Sequence, residues 1–394
     1  MTEGVLVINL GSSSVKAAIL TKGRGTSRPW VGRAERIGGA DGLLRFINSD
    51  DAVTAQISQA MPDHGAALDL LLAAALSDPA ARTLVGVGHR VVHGGPVFTQ
   101  PVMIDDVVAG QLRQLVPLAP LHMPQSLAAI EITRRALPHL SQIACFDTMF
   151  HASLPRLSQL IALPRRLTEP GVRRYGFHGL SYEYVLGALR RRGVDVSRER
   201  IILAHLGAGA SMCAVRQGRS VDTTMGFSTL SGLPMGSRCG DIDPGVLLYL
   251  LQERGLDSAT LQHMLYEESG LVALSNGTAD MQLLLARPND PNTTEAVEFF
   301  CHQARRQLGA LTASLGGIDR LVFTGGIGAN APAVRERICE GLGYLGVVLD
   351  ASRNLAGAPT ISVAGSPVVV EAFDTDEEQA IADHVWRLLG LMRE

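Results

Sequence analysis

Residues 4–20 read GVLVINLGSSSVKAAIL, and the fold turns on this stretch. Val5–Leu10 is an apolar run broken once, by Asn9, the pattern of a strand buried on both faces. Gly11-Ser12-Ser13-Ser14 follows with small, turn-forming residues, and Val15–Leu20 reads as a second strand. A hairpin tip of glycine and three hydroxyls gathers backbone N–H groups and side-chain donors, which suits phosphate oxygens. Lys16, leaving the tip, adds a point positive charge. Taken alone, the stretch reads equally as an ordinary Ser/Gly hairpin.

The chain repeats it. Residues 201–215, IILAHLGAGASMCAV, again give an apolar strand, a polar residue, Leu-Gly, small residues and an apolar strand. Setting Gly11 against Gly207 pairs Asn9 with His205, Leu10 with Leu206 and Ser12 with Ala208. At 320–331, RLVFTGGIGANA, a third strand ends in glycines and runs into the helix-like APAVRERICEGL. Two phosphate hairpins, one per half, then a strand, glycines and a helix, predict a duplicated α/β fold closing on a nucleotide.

With 394 residues the chain can build two or three domains with substantial cores. A net charge of −3 provides no field that would recruit nucleic acid or an acidic membrane. Cys145, Cys213, Cys239, Cys301 and Cys339 are odd in number, widely spaced and without a C-x-x-C pair. That pattern argues against a disulfide framework or a zinc site and for reduced cytosol. Met1-Thr2-Glu3 leads directly into the first strand, which leaves no room for a signal peptide. No apolar run approaches 18 residues, so no membrane span is expected, and the protein reads as cytoplasmic.

Further along, Ala66–Leu76 is helix-like, and Val85–Val92 reads as a buried strand ending in HGGP. Gln125–Leu137 reads as a helix and Gln142–Asp147 as a short strand ending in Asp-Thr-Met-Phe-His. Residues 24–60 are mixed and give no clear element beyond a possible continuation of the first sheet. A boundary falls near 150. The first domain is expected over 1–150, joined by a tail helix at about 380–394, and the second over 151–379. Residues 222–245 are glycine-rich and aperiodic, a length of irregular chain usually kept for function.

Asn9, Arg90, Asp147, His178, His205 and Arg238 all sit where a strand has just ended or in the loops beyond. Phosphoryl transfer needs groups for a hard cation, cations for the moving phosphoryl and a donor near the attacking oxygen. Asn and Asp suit the first need and paired arginines the second. Other chemistries lack their signatures: no G-x-x-x-x-G-K-[ST], no G-x-G-x-x-G after a strand and no G-x-S-x-G elbow is present.

VINLGSSSVK, GHRVVHGG, LAPLH, CFDTMFH, RYGFHG, HLGAGAS, MGSRCGDIDPG, FTGGIGAN and TDEE occur in one order across the whole chain. In that order they resemble the acetate kinase family of the acetate and sugar kinase/heat-shock chaperone/actin superfamily. The resemblance implies duplicated actin-like ATPase (ribonuclease H-like) α/β domains around a nucleotide cleft. It implies reversible transfer of the ATP γ-phosphoryl to acetate, giving acetyl phosphate and ADP, with Mg²⁺ or Mn²⁺, in a homodimer. Arg90, Asp147, His178 and Arg238 match the family's catalytic positions. Val92, Leu121, Phe177 and Thr229 match the small acyl pocket, and His122 lies beside it. Ser12, Ser14 and Lys16 match the first phosphate hairpin, and His205, Gly207 and Gly209 the second. Asp280, Gly325, Gly326, Ile327, Gly328 and Asn330 match the adenosine site, and Asn9 with Glu377 the metal positions.

Departures from the family pattern are local. Ala208 stands where HLGNG has asparagine, Tyr182 where HGTSH ends in histidine, and Met123 where HNP has asparagine. Thr229 replaces the usual proline of the acyl pocket, Gln282 a common adenosine-contacting arginine, and Ala329 the glutamate of GIGEN. Two rival readings stand beside acetate kinase. One is a kinase for propionate or another short-chain acid; the other, motivated by Ala208 and Gln282, is a nucleotide-binding module with little turnover.

Overall fold

The computed structural model describes residues 2–11, 14–22, 26–48, 52–168 and 171–392. The chain divides into two compact units, Met1–Met149 with Asp376–Glu394, and Phe150–Thr375.

The first unit holds an eight-stranded sheet in the order β5-β4-β3-β2-β1-β6-β8-β7. Its strands are β1 (Glu3–Leu10), β2 (Ser14–Lys22), β3 (Thr26–Glu35), β4 (Leu43–Asn48), β5 (Val53–Ser58), β6 (Leu84–Val91), β7 (Val102–Met103) and β8 (Ser141–Phe146). β1 is apolar on both faces because both are covered. Leu6, Ile8 and Leu10 pack with Leu68, Leu71 and Leu72 of the helix His64–Ser77. The C-terminal helix, Glu377–Leu388, packs against β1 and β6. Gly88 makes that approach possible, since a Cβ there would lie 2.4 Å from Ile381 Cγ2.

The second unit holds a five-stranded sheet in the order β11-β10-β9-β12-β13. These strands are β9 (Arg200–Leu206), β10 (Ala210–Arg216), β11 (Arg219–Thr223), β12 (Arg320–Thr324) and β13 (Val369–Ala372). Tyr182, Val185, Leu186 and Leu189 of the helix Gly179–Arg191 pack on Ile201, Leu203 and Val215. The long helix Pro291–Leu315 packs against β9, β10 and β11.

The sheets repeat one another. In the first, β3, β2 and β1 are antiparallel neighbours, and β6 and β8 then join β1 in parallel. In the second, β11, β10 and β9 are antiparallel, and β12 and β13 join in parallel. Both sequence hairpins are therefore the central turns of equivalent sheets. The stretch 24–60, which gave no clear element, contains β3, β4 and β5. Every residue of β5 is exposed, so the apolar–polar alternation of VTAQIS marks no buried face, and six such residues in a mixed stretch do not stand out.

Candidate functional site

In the first unit, polar side chains gather where β1, β6 and β8 end. Arg90, the last residue but one of β6, meets Asp147, which directly follows β8. The contact is a two-point fork, Nε to Oδ1 at 2.9 Å and Nη2 to Oδ2 at 2.6 Å. Arg90 Nη1 donates to Asn9 Oδ1 and to the Leu10 carbonyl, each at 3.2 Å. The Asn9 amide in turn donates to Glu377 Oε2 and Glu378 Oε1, both at 3.2 Å. Lys16, opposite Asn9 in the hairpin register, donates to Glu378 Oε2 at 2.7 Å.

The charges decide each other's state. Burial alone would weaken the Arg90 cation, but Asp147, Glu377 and Glu378 outweigh it and hold the guanidinium above its ordinary pKa. Burial would likewise raise Glu378, yet Lys16, the Asn9 amide and Arg28 keep its carboxyl below the usual range. Arg28 also pairs with Asp376, the residue that caps the C-terminal helix by accepting from Gln379 N. Asp376 onward, including Glu377, thus lies with the first unit.

The hairpin tip is tied down twice. Gly11 N donates to the Ser14 carbonyl at 2.8 Å, and His64 Nε2 reaches the Gly11 carbonyl at 3.0 Å. A Cβ on Gly11 would stand 2.7 Å from Ser14 Oγ, so a larger residue there would have to turn that hydroxyl aside. Ser12 lies outside the described residues. Val92 follows β6 and is buried, while Leu121 and His122, just before the helix Met123–Ala136, are half-buried.

In the second unit the corresponding turn is Gly207-Ala208-Gly209, closed by Gly207 N donating to the Gly209 carbonyl at 3.0 Å. His178 and His205 stack with ring centres 4.2 Å apart and planes 16° from parallel. His178 Nδ1 meets Ser211 Oγ at 2.8 Å, and His205 Nδ1 meets Ser181 Oγ at 2.8 Å. A Cβ on Gly209 would lie 3.1 Å from His178 Nε2 and 3.8 Å from Arg238 Nη1. The structure therefore brings His178, His205, Arg238 and the glycine hairpin together. Arg238 Nη1 also donates to the carbonyl of Thr229, a buried residue, at 3.3 Å.

His178 has a left-handed backbone, φ 58°, and heads the helix Gly179–Arg191. His151 secures that conformation by donating from Nε2 to the Phe177 carbonyl at 2.9 Å. Burial pushes His151 down to about 4, so it is neutral. Phe177 is buried in this unit, whereas Val92, Leu121 and His122 belong to the other.

The strand–glycine–helix element is β12 followed by the helix Gly325–Asn330. Gly325 has φ 76°, and a Cβ on it would lie 2.7 Å from the Leu206 carbonyl. Gly326 and Asn330 are exposed, Ile327 is half-buried, and Gly328 is buried. Arg335, itself buried, donates to the carbonyls of Gly328 and Ala329 and to Asn354. Asp280 is exposed and caps the helix Met281–Leu285 by accepting from Gln282 N at 2.8 Å. Glu378, His64, His151, Ser211 and Arg335 support these sites without having been assigned a role from the sequence, and Tyr182 does so after being noted only as a departure from HGTSH. Glu378 is the last acid of TDEE, His151 ends CFDTMFH and Ser211 ends HLGAGAS, so these three lay within the quoted motifs.

The description of the acetokinase family matches residues 4–383. An acetate kinase of Rhodopseudomonas palustris is 47% identical over 399 residues, covering 98% of this chain and 99% of that protein. The crystal structure of the Porphyromonas gingivalis acetate kinase is 34% identical, with a TM-score of 0.88 over 98% of this chain and 100% of that one. A propionate kinase from Francisella tularensis is 32% identical, with a TM-score of 0.89 over 97% and 98%. The repeated sheet is thus that of a duplicated actin-like α/β fold. With the match running through both sheets and both hairpins, the chain belongs to the acetokinase family.

Proposed function

We propose that the chain is an acetate kinase, a phosphotransferase that moves the γ-phosphoryl of ATP reversibly onto a carboxylate oxygen of acetate. Acetyl phosphate and ADP are the products. The forked Arg90–Asp147 pair carries this reading, because it presents a permanently charged, oriented guanidinium at a strand end. In an in-line transfer the acetate oxygen bonds to phosphorus as the bond to the β–γ bridging oxygen breaks. Arg90 and Arg238 neutralise charge on the equatorial oxygens, and His178 donates to the transferring group. Asp147 keeps Arg90 flat and aimed. The first unit takes the acyl group and the second the nucleotide. For the acyl group the candidates are Val92 and Leu121, with His122 beside them, in the first unit and Phe177 and Thr229 in the second. Ser12, Ser14, Lys16, His205, Gly207 and Gly209 face phosphates, and Asp280 with Gly325–Asn330 faces the adenosine.

A divalent cation, Mg²⁺ or Mn²⁺, fits the oxygen donors of the first unit. Among the described residues no group of three His, Cys, Asp or Glu side chains could hold a metal. A small hard cation that keeps its waters and takes one or two carboxylates plus phosphate oxygens needs no such cage. Glu377 supplies the carboxylate, and Asn9, whose amide bonds to it, aims it. When bound, the cation neutralises phosphate charge.

The test is to trap acyl phosphate as hydroxamate with ATP and acetate, propionate or butyrate side by side. Acetate should give the most product. A propionate kinase is the second reading, favoured by the close superposition of the Francisella tularensis enzyme, and a larger signal with propionate would establish it. ATP binding without trapped product would overturn both.

The protein works as a homodimer in the cytoplasm. The helix Pro244–Gln252, PGVLLYLLQ, has no buried residue, and Leu248 and Tyr249 are 55% and 49% exposed. A helix apolar all round requires cover, and a second copy supplies it. All five cysteines are free, and no helix among the described residues is long and apolar enough to cross a membrane. Light scattering should give the mass of two chains, and Tyr249→Glu the mass of one.

A further inference from the structure

The two ring nitrogens of a histidine are not equivalent, and which one carries the proton is set by what the other meets. His178 Nδ1 meets Ser211 Oγ at 2.8 Å, and Ser211 Oγ also meets the Tyr182 hydroxyl. Ser211 and Tyr182 are both fully buried. Among the described residues the Tyr182 hydroxyl bonds to Ser211 alone, and the Ser211 hydroxyl to Tyr182 and His178 alone.

Three atoms and their protons allow few arrangements. If His178 carried its proton on Nδ1 and gave it to Ser211, Ser211 could pass its own to Tyr182, leaving the phenol proton without an acceptor. If Ser211 accepted from both neighbours, its own proton would have none. A buried donor left unmade costs about 1–3 kcal/mol, enough to decide between them. In the one order that uses every proton, the Tyr182 O–H donates to Ser211 and the Ser211 O–H donates to His178 Nδ1.

We infer that Tyr182, through Ser211, is a positioning residue that fixes His178 as the Nε2–H tautomer, with its donor on the side of Gly209. Burial also keeps the phenol pKa well above its ordinary value, so Tyr182 stays a donor at every working pH. The ring cannot swing away from this arrangement cheaply. It stacks on His205, and its Nε2 lies 3.1 Å from where a Gly209 side chain would begin. Tyr182 itself is wedged edge-on against His151, with ring centres 5.7 Å apart. Tyr182 stands where the family motif usually has histidine, so the device belongs to this chain.

The inference rests on the reading of His178 as the donor to the transferring phosphoryl, and the test separates the two. Tyr182→Phe removes one oxygen and keeps the ring; Ser211→Ala removes the link. Heteronuclear NMR on histidine-labelled enzyme, with the His178 signal assigned by its loss in His178→Ala, reads the tautomer directly. The wild type should show the proton on Nε2, and both variants should gain an Nδ1–H population. Their kcat should fall about 2- to 10-fold, the worth of one ordinary hydrogen bond, with KM for acetate and ATP unchanged. The double variant should be no worse than either single one. A wild-type proton on Nδ1, or an unmoved His178 spectrum in both variants, would overturn the relay. A moved spectrum with unchanged kcat would uphold the relay and remove His178 from the reaction.

Discussion

The two units run the same five strands in the same order, yet equivalent strand ends carry opposite chemistry. Asn9 near the end of β1 corresponds to His205 near the end of β9. Ile8 pairs with His89, and His205 pairs with Thr324, so Arg90 and Thr324 occupy nearly the same place in the repeated sheet. The first unit fills its strand ends with two cations and three carboxylates. The second places two stacked histidine rings, hydroxyls and Arg238 beside glycines, and carries a network of buried ion pairs at the far end of β12. There Arg320 meets Glu199 and Glu371, each at 2.7 Å. On the proposed function, one scaffold serves two tasks. A carboxylate acceptor and a cation call for fixed charges, whereas a nucleotide lying against backbone calls for side chains that stay out of the way.

Arginine removal should break this comparison with the largest effect. Arg90→Ala and Arg238→Ala should each lower kcat about 10³-fold or more, the low end for an arginine in phosphoryl transfer. Their effects on stability should differ. Arg90→Ala leaves Asp147, 2% exposed, without its forked partner, which costs about 3–5 kcal/mol. Adding Asp147→Asn should recover most of that stability and none of the activity. Near-normal kcat in either alanine variant, with circular dichroism unchanged, would take that arginine out of the reaction.

Acid should act on both units alike. Burial, offset only in part by bonds to Gln142 and to the Phe177 carbonyl, pushes His89 in the first unit and His151 in the second down to about 4. Unfolded, each titrates near 6.5, so between those values the unfolded chain binds the extra proton. Stability from each histidine is complete above pH 6.5 and lost as pH falls toward 4, about 3 kcal/mol apiece. Urea titrations at stepped pH should show that slope, and His89→Gln or His151→Gln should each flatten it by one proton. An unchanged slope in both variants would mean that other groups govern acid unfolding.

The sequence was most legible where a residue's neighbours in the chain are also its neighbours in space. β1, β2, β9 and β10 are apolar on both faces and meet at glycine turns, so each hairpin announces itself within about 15 residues. β4 and β5 do not, because they pair by register at a sheet edge, and β5 has no buried side chain. Site residues divide the same way. Arg90, Asp147 and His205 stand beside strand ends that can be counted off. Glu378 reaches Asn9 across 369 positions, which only the packing of the C-terminal helix on β1 reveals. Tyr182 stood out only as a departure from HGTSH, and its role is visible once the fold places Ser211 at its hydroxyl.

A smaller effect is expected at the acyl pocket. Val92 is 4% exposed, so Val92→Ala should lower the melting temperature whatever its role. If it also walls the pocket, the ratio of kcat/KM for propionate over acetate should rise about 10-fold, the worth of roughly one methylene. A lower melting temperature with an unmoved ratio would make Val92 a core strand-end residue and nothing more.

The smallest expected change sharpens the contrast between the two hairpin tips. The first carries hydroxyls, and the second carries Gly207-Ala208-Gly209, where the family usually places an asparagine amide. Ala208 is exposed, its backbone has no positive φ, and its carbonyl is held by Gly236 N at 3.2 Å. An asparagine can therefore be put back without moving the turn, and Ala208→Asn should leave the melting temperature unchanged. If the tip faces phosphates, the amide adds one hydrogen bond, and KM for ATP should fall about 2- to 10-fold while KM for acetate stays put. Ser14→Ala in the first tip should work in the opposite direction and raise KM for ATP by a similar factor. An unmoved KM for ATP in Ala208→Asn, with Ser14→Ala still effective, would mean that only the first tip reads phosphate. The second would then be held open by its glycines for the backbone packing of Gly325 against Leu206.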